Sequence, residues 1–332
     1  MILITGAHGF IGRHLVAGLL DAGWSVRVLV PTQRGRVRLP WTEEQVRSGQ
    51  GIDVVMGNLD DPDALAAALD GVHTIFHLAG ALWWGGARDV ARVDVDGTAA
   101  IIQAGQRKKV GRLIVVSHLG AAPASAYNLM RAKGQAEHLV TSSGVPYTII
   151  RSGIVFGEQD RFVNNLAMIL RLNPLLFIQP GQGENLLHPL YINDLVAVLV
   201  QCMDNLDTID RILDIGGPEY LTFNEMVRTV MRVSGARRMI LTLPPYMIRF
   251  FTRLMGRIFR RWPVTPQWFD IIASHRTASL GTVFDVFGIK PARFEDTLVQ
   301  YMPERRYLWE LIRFLFSRRR GIGHRPHNPP NP

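Results

Sequence analysis

Cysteine and long apolar runs are scarce in this 332-residue sequence, and each scarcity excludes a class of protein. The single cysteine, Cys202, cannot form a disulfide framework or an intramolecular cysteine-based zinc site, and we expect no metal. No uncharged apolar run reaches the about 18 residues that a membrane-spanning helix needs. Because the chain passes directly into the β-rich run Ile2–Thr5, we expect no secretory signal and a cytoplasmic location.

Acidic residues are scarce in the C-terminal third, which makes this region basic. Residues 236–332 contain 17 Arg and Lys against 6 Asp and Glu, a net charge of +11. The whole chain has a net charge of +9, so the remaining residues together carry −2. The basic character therefore belongs to one region and needs its own explanation.

Two segments of this region combine arginine with large apolar residues. In 247–261 the arginines stand at positions 249, 253, 257 and 260, which form one stripe on a helix. In 307–320 aromatic and aliphatic residues precede a run of arginines. Basic amphipathic helices of this kind bind anionic membrane surfaces. A helix packed on the core with a solvated basic face is the alternative, and no motif supports nucleic-acid binding.

The N-terminal residues contain the strongest functional signal. The run Ile2–Thr5 leads into a glycine-rich turn, then a helical pattern over 13–22 and a second β-rich run, Val26–Val30. This order is typical of a dinucleotide-binding unit, whose glycines allow a tight turn and a close approach of the backbone to a pyrophosphate. An ordinary glycine-rich turn is the alternative. The predicted cofactor-binding residues of the turn are Gly6, His8, Gly9, Phe10, Ile11 and Gly12.

The spacing G-x-x-G-x-x-G over residues 6–12 resembles the extended and atypical branches of the short-chain dehydrogenase/reductase superfamily. Residues 57–59 resemble its Gly-Asp-Leu, residues 77–80 its His-Leu-Ala-Ala, and residues 94–98 its Asn-Val-x-Gly-Thr, with Asp94 in place of Asn. Further along the chain, the segments 243–246, 263–267 and 287–298 resemble the group of the NADPH-binding accessory subunit of respiratory complex I, and the resemblance extends to about residue 302. The resemblance implies further cofactor contacts at Asn58, Leu59, Ala79 and Gly80.

No acidic residue follows the second β-rich run, although NAD-binding sites usually have one there to hold the ribose hydroxyls. Residues 31–38 contain three arginines instead, and the guanidinium fork suits a 2′-phosphate. We therefore expect NADP(H) in preference to NAD(H), with Arg34 as the first candidate for the contact. A solvated basic loop is the alternative.

The resemblance also implies a Ser, Tyr and Lys reaction centre, but this chain departs from the superfamily's Tyr-x-x-x-Lys spacing. Tyr127 has Arg131 at the expected interval, and an arginine is a poor proton relay because it stays protonated. Lys133 follows Tyr127 by six residues, so the two side chains would meet only if Tyr127 precedes the first helical turn. We predict Ser117, Tyr127 and Lys133 as catalytic, with Lys133 also binding the ribose of the cofactor. In the alternative, Lys133 anchors the cofactor and Tyr127 only lines the pocket.

The predicted fold class is α/β: a Rossmann fold with a doubly wound parallel sheet and a smaller, mostly helical C-terminal substrate region. Residues 1–157 would form the NAD(P)-binding domain, completed by a late strand near 211–217. Residues 158–302 would form most of the substrate region, and 303–332 a basic amphipathic segment and a disordered tail. Asp194 is a predicted helix N-cap, and Thr222 with Glu225 a predicted capping box.

These features favour an NADP(H)-dependent oxidoreductase or epimerase that acts on a carbonyl or hydroxyl group of a small-molecule substrate. The alternative is a non-catalytic NADP(H)-binding scaffold or redox sensor associated with a membrane complex. A peripheral position on the inner face of a membrane would fit the basic segments. The sequence leaves the substrate and the oligomeric state open.

Overall fold

The computed structural model describes residues 1–31, 51–80, 87–258 and 263–302, together with Tyr307, Trp309, Ile312 and Arg313. Arg34, the predicted contact of a 2′-phosphate, lies outside the described residues. Most of the segment 303–332 also lies outside the described residues. The 2′-phosphate contact of Arg34 and the basic amphipathic segment with its disordered tail therefore stay predictions.

The described strands and helices alternate along the N-terminal half of the chain. The strands are β1 Ile2–Thr5, β2 Val26–Val30, β3 Ile52–Met56, β4 Thr74–His77, β5 Arg112–His118, β6 Tyr147–Ser152, β7 Val155–Phe156, β8 Leu176–Pro180, β9 Leu186–Leu187, β10 Leu190–Tyr191, β11 Arg211–Ile215, β12 Leu221–Thr222 and β13 Met239–Leu243. The α-helices are α1 Phe10–Asp21, α2 Pro62–Ala68, α3 Ala87–Val90, α4 Gly97–Arg107, α5 Asn128–Thr141, α6 Val163–Ile169, α7 Ile192–Gln201, α8 Phe223–Val233, α9 Pro245–Ile258, α10 Pro266–Ile272, α11 Thr282–Phe287 and α12 Phe294–Tyr301.

Seven of the described strands form one parallel sheet in the order β11-β6-β5-β4-β1-β2-β3. Its central strands are short apolar runs because both faces of the sheet are covered by helices; β1 and β4 are buried throughout. The strand order reverses between β1 and β4, and ligands of such sheets bind beyond the carboxyl ends of the strands at this point. The predicted doubly wound Rossmann sheet is confirmed, including its late strand.

Helices on the two faces of the sheet bury separate apolar layers. One layer includes Val16 and Leu19 of α1 with Leu195 and Leu199 of α7. The other includes Ile101 of α4 and further residues of α2 and α5. Since α7 lies beyond residue 157 yet packs on α1, the C-terminal half contributes to the nucleotide-binding layer, and the predicted domain limits stay a prediction.

The C-terminal region has its own core, built around aromatic side chains. Phe162 stacks on Trp268 with ring centres 4.8 Å apart, and Phe156 meets Phe294 edge-on at 4.8 Å. Three described pairs of short strands, β7 with β10, β9 with β12 and β8 with β13, supplement the helices here. No helix among the described residues is long and apolar enough to cross a bilayer.

The two predicted helix starts have different outcomes. The capping box at α8 is confirmed: Thr222 Oγ1 accepts from the Glu225 amide at 3.1 Å, and Glu225 accepts from the Thr222 amide at 2.8 Å. The prediction for Asp194 is wrong, because Tyr191 is the N-cap of α7 and no side chain caps that helix. Asp194 instead accepts from the Ala292 amide at 2.8 Å. Its partner is distant in sequence, so local spacing could not find it.

Candidate functional site

The turn between β1 and α1 is shaped by three glycines whose surroundings differ. Gly6 has a φ of +73°, and a Cβ there would lie 2.7 Å from the backbone of Leu78 and Ala79. A Cβ on Gly12 would lie 2.3 Å from the Gly6 carbonyl oxygen. A Cβ on Gly9 would meet only that same oxygen, at 3.1 Å. Packing therefore requires glycine at positions 6 and 12, whereas the open side of Gly9 leaves the backbone accessible to a ligand.

The N-terminus of α1 is electropositive, and no side chain of the described residues caps it. It begins at Phe10 without a side-chain cap and without an acidic residue in its first turn, so its amides can bind an anion. His8 Nδ1 and Arg13 Nε, close by in the chain, are buried and have no hydrogen-bond partner in the part of the chain described. Burial lowers the pKa of both side chains, and the charges of Arg161 and Arg13 further lower the pKa of His8. Buried donors without acceptors fit a phosphate group.

The end of β4 is fixed by a buried histidine. His77 Nδ1 lies 2.8 Å from Thr5 Oγ1, and its Nε2 lies 3.1 Å from Thr98 Oγ1. Burial lowers the pKa of His77 to about 4, so the ring is neutral near pH 7. Since both ring nitrogens have hydroxyl partners, His77 ties β1, β4 and α4 together and has a structural role.

A buried ion pair stands next to this strand end. The segment Ala91–Asp96 is a π-helical turn, and Asp94 within it is 1% exposed. Asp94 Oδ1 lies 2.8 Å from Lys133 Nζ of α5. A Cβ on Gly80 would lie 3.1 Å from Asp94 Oδ1 and 3.3 Å from Lys133 Nζ. The Lys133 ammonium is therefore held beside the small residues that the sequence predicted to contact a cofactor.

Ser117 and Lys133 line the same small cavity, together with Ala79 and Asp94. Ser117 is 4% exposed, and its Oγ has no hydrogen-bond partner within the described residues. A ligand oxygen that entered the cavity could accept or donate a hydrogen bond there. The structure thus brings together two of the three predicted catalytic residues.

Tyr127 has a different neighbour. It is the N-cap of α5 with extended backbone angles, φ −88° and ψ 122°, so it precedes the first helical turn, as a meeting with Lys133 requires. Its ring lies against the Arg276 guanidinium, whose carbon is 5.9 Å from the ring centre. Tyr127 is not among the residues that line the cavity of Ser117 and Lys133. Arg131, at the superfamily's usual interval, donates instead to the Asn128 side chain and the Ser125 carbonyl.

Arg276 joins the C-terminal region to the loop after β5. The side chain is 4% exposed and donates to the Leu119 carbonyl at 2.9 Å and the Ile271 carbonyl at 3.0 Å. The neighbouring His118 has a pKa of about 4, because burial and the charges of Arg276 and Lys133 disfavour its protonated form. The position of Tyr127 therefore depends on a guanidinium that is anchored to backbone oxygens.

The remaining predicted cofactor residues lie at the same edge of the sheet but contact mainly other parts of the protein. Phe10 and Ile11 form the first turn of α1, and Ile11 packs on the apolar layer beneath it. Asn58 follows β3, and its carbonyl accepts from the Asp61 amide at 3.2 Å. Leu59 packs on the layer between the sheet and α4.

Sequence reasoning missed two contributors to this edge. Arg13 directly follows the third glycine, so its position on the first turn of α1 was available as a signal. Asp94 was visible only as a departure from the superfamily's Asn, and its ion pair joins residues 39 positions apart, which no local pattern reveals. The chain therefore supplies more buried charge at the site than the glycine motif indicates.

Comparisons with known proteins agree with this geometry. A protein-family profile described as NAD(P)H-binding matches residues 6–164. The ceramide reductase of Caulobacter vibrioides is 30% identical over 245 residues, 74% of this chain and 74% of that protein. The mitochondrial NADH dehydrogenase (ubiquinone) 1 alpha subcomplex subunit 9 of Rattus norvegicus is 26% identical over 309 residues, 92% of this chain and 81% of that protein.

Solved structures show the same fold. The UDP-glucose 4-epimerase of Thermotoga maritima gives a TM-score of 0.68 at 19% identity, covering 94% of this chain and 99% of that one. An epimerase of Methanothermobacter thermautotrophicus gives 0.70 at 18% identity, covering 94% of each chain. The glycine turn, the parallel sheet and these relatives lead to one assignment: the chain belongs to the NAD(P)-binding short-chain dehydrogenase/reductase superfamily, in its extended and atypical branches.

Proposed function

We propose that this protein is an NADP(H)-dependent oxidoreductase or epimerase that acts on a carbonyl or hydroxyl group of a small molecule. The observation that carries the proposal is the Lys133 ammonium, fixed by buried Asp94 beside the Ser117 hydroxyl that lacks a partner in the described chain. This arrangement lies at the carboxyl edge of the sheet, where the glycine turn would hold a pyrophosphate. A bound nicotinamide would supply the hydride transfer.

The chain's own residues would bind the cofactor, orient the substrate and transfer the proton. Lys133 would hold a ribose hydroxyl, since its position is fixed from one side by Asp94. Ser117 Oγ would hydrogen-bond the substrate oxygen and orient it. Tyr127, which precedes the first turn of α5, would move the proton to or from that oxygen. Arg276 would position Tyr127 through the contact with its ring.

The preference for NADP(H) is supported by the surplus of basic donors. Arg13 Nε is buried without a partner in the described chain, and three arginines follow β2 in the sequence. An Arg13→Gln variant should lose affinity for NADPH by about tenfold or more and for NADH by less, because only NADPH has the additional phosphate. The exposed Arg228, which bonds Asn224 on α8, gives a matched control as Arg228→Gln.

The enzymatic proposal is tested by turnover. The purified protein would be screened for carbonyl-dependent oxidation of NADPH, beginning with long-chain ketones because one relative is a ceramide reductase. Lys133→Met should abolish turnover and weaken NADPH binding. Tyr127→Phe should reduce kcat by about a hundredfold or more and leave cofactor affinity unchanged. Tyr147→Phe, on β6, is the control for loss of a phenol, and unchanged turnover in Tyr127→Phe would contradict the catalytic assignment.

A non-catalytic role as an NADP(H)-binding scaffold is the second candidate. It is favoured by the position of Tyr127 against Arg276, outside the set of residues lining the Lys133 cavity. The relative named as a subunit of the mitochondrial NADH dehydrogenase (ubiquinone) 1 alpha subcomplex also supports it. Tight NADPH binding, weakened by Lys133→Met, without oxidation of NADPH by any carbonyl compound in the screen would favour this role over the first.

A further inference from the structure

One surface of the C-terminal region exposes paired apolar side chains on a short sheet. Strands β8 and β13 are parallel neighbours, with Met239 opposite Leu176 and Leu241 opposite Ile178. All four are exposed, Met239 by 73% and Ile178 by 47%. The alternate residues Phe177 and Gln179 are buried. The sheet thus turns one face to the core and presents a second apolar face to the exterior.

Helix α9 follows β13 directly in the chain and, like the short sheet, has one buried side and one exposed apolar side. Its inner side is buried or half-buried: Thr252 is 6% exposed, and Ile248 and Met255 pack on the aromatic core. Its outer side exposes large apolar residues, of which Phe250 is 70% exposed. We call the exposed residues of β8, β13 and α9 together the apolar face. The α9 members are Tyr246, Met247, Phe250, Phe251, Leu254 and Ile258.

The apolar face belongs to two segments that contain no acidic residue. Neither 161–183 nor 236–269 has an aspartate or glutamate, whereas together they contain nine arginines. Arg253 and Arg257 of α9 are exposed, and Arg237 is exposed two residues before β13 begins at Met239. Apolar residues interspersed with charge of one sign characterise surfaces that lie at the boundary of lipid headgroups and acyl chains.

The structure also corrects the predicted arginine stripe. Arg249 is not a member of the exposed stripe: it is half-buried, and its guanidinium lies 5.7 Å from the ring centre of Phe269. It belongs to the inner side of α9, as the alternative of a core-packed helix requires. Arg253 and Arg257 remain on the outer side, and Arg260, the fourth member of the predicted stripe, lies outside the described residues.

We infer that the apolar face is a docking surface for an anionic lipid bilayer, with aromatic and aliphatic side chains entering the headgroup boundary and arginines contacting lipid phosphates. Charge decides between a bilayer and a second copy of this chain. A symmetric contact between two such faces would bring the arginines of one copy to the arginine-containing face of the other, without any acidic residue in either segment. An anionic bilayer complements both the charge and the apolar residues.

Vesicle binding tests this inference with the full chain. Co-sedimentation would be measured with vesicles of phosphatidylcholine alone and of phosphatidylcholine mixed with phosphatidylglycerol. We expect binding to the mixed vesicles that weakens with added salt. Each exposed arginine contributes about fivefold, so Arg253→Gln with Arg257→Gln should weaken binding by about 25-fold. Phe250→Ser with Leu254→Ser should weaken it by at least about tenfold.

Leu206 provides the matched control, because it is 71% exposed and lies between α7 and β11, outside the apolar face. Leu206→Ser should bind vesicles as the unaltered chain does. NADPH binding, measured on each variant, confirms that it is folded. Failure of the unaltered chain to bind the mixed vesicles would overturn the inference. Self-association in sedimentation velocity that the Phe250→Ser, Leu254→Ser variant abolishes would also overturn it, since a second copy would then occupy the face.

Discussion

Alanine substitutions at Gly9 and Gly12, in the turn between β1 and α1, should have different effects on stability and on ligand binding. In Gly12→Ala the new Cβ would lie 2.3 Å from the Gly6 carbonyl oxygen and 2.6 Å from Ala7 Cα. Both are backbone atoms, so α1 would have to move away from the turn. In Gly9→Ala the nearest atom is the same oxygen at 3.1 Å, and the backbone angles, φ −74° and ψ 177°, suit any residue. Gly12→Ala should therefore destabilise the fold, and Gly9→Ala should weaken ligand binding.

The expected magnitudes separate the two variants. Gly12→Ala should lower the free energy of unfolding by about 3 kcal/mol or more, as other changes that force backbone atoms apart in a packed core do. Gly9→Ala should cost only about 0.5–1 kcal/mol, the difference between glycine and alanine at an N-cap. However, its Cβ would project where the proposed site would hold a pyrophosphate. Loss of one charge-assisted hydrogen bond costs about 1.5–3 kcal/mol, or about 10- to 150-fold in Kd for NADPH.

Urea unfolding and calorimetric titration with NADPH would be measured on both variants. Gly18→Ala, whose Cβ would meet the Val196 side chain at 2.5 Å, controls for a packing change in α1 away from the turn. If Gly9→Ala binds NADPH as tightly as the unaltered chain, the phosphates do not lie on this turn and the reasoning fails. If Gly12→Ala is as stable as the unaltered chain, the close approach of α1 to the turn is refuted.

Three further predictions concern stability. Asp94→Asn should lower the free energy of unfolding by about 1–3 kcal/mol, because the half-buried Lys133 ammonium loses its carboxylate partner. In urea unfolding, the effects of Asp94→Asn and Lys133→Met on stability should not add in the double variant, because the two residues interact. Burial holds the pKa of His77 at about 4, so below about pH 6.5 the unfolded chain binds a proton that the folded chain excludes, and stability should fall by up to about 3 kcal/mol by pH 4. Burial raises the pKa of Asp160 to about 6, so the folded chain binds a proton there before the unfolded chain does, and this offsets part of the loss as the pH falls. The His77→Asn variant should therefore lose less stability than the unaltered chain between pH 7 and 5, in urea unfolding at each pH. Thr222→Ala should cost about 1 kcal/mol in urea unfolding, because it removes the capping hydrogen bond of α8.

Local signals in the sequence were sufficient for most of the Rossmann sheet. The run Ile2–Thr5 and its glycine turn predicted β1 and the start of α1, and the capping box predicted α8, because each depends on residues within a few positions of one another. Contacts between distant residues were not predictable in this way. The pairing of Asp94 with Lys133 and of Asp194 with the Ala292 amide depends on how helices pack after the chain has folded.

The candidate reaction centre could be predicted only in part for the same reason. The sequence left open whether Tyr127 lies on α5 or before it, and this depends on the helix start at Asn128. The contact of Tyr127 with Arg276 joins positions 149 residues apart and was not anticipated. Motif spacing identified which residue types are present, whereas the position of Tyr127 depends on Arg276, which donates to the Leu119 carbonyl after β5.

The most direct measurement is the identity and stoichiometry of the nucleotide bound to the purified full chain. Protein would be denatured in acid or base, the released nucleotides identified by mass spectrometry, and the nucleotide-free protein titrated with NADPH and NADH. We expect one NADP(H) per chain and a Kd for NADPH at least about tenfold below that for NADH, as a 2′-phosphate contact requires. Binding of neither dinucleotide would contradict the assignment of the glycine turn as a cofactor site, and tighter binding of NADH would contradict the proposed role of the arginines.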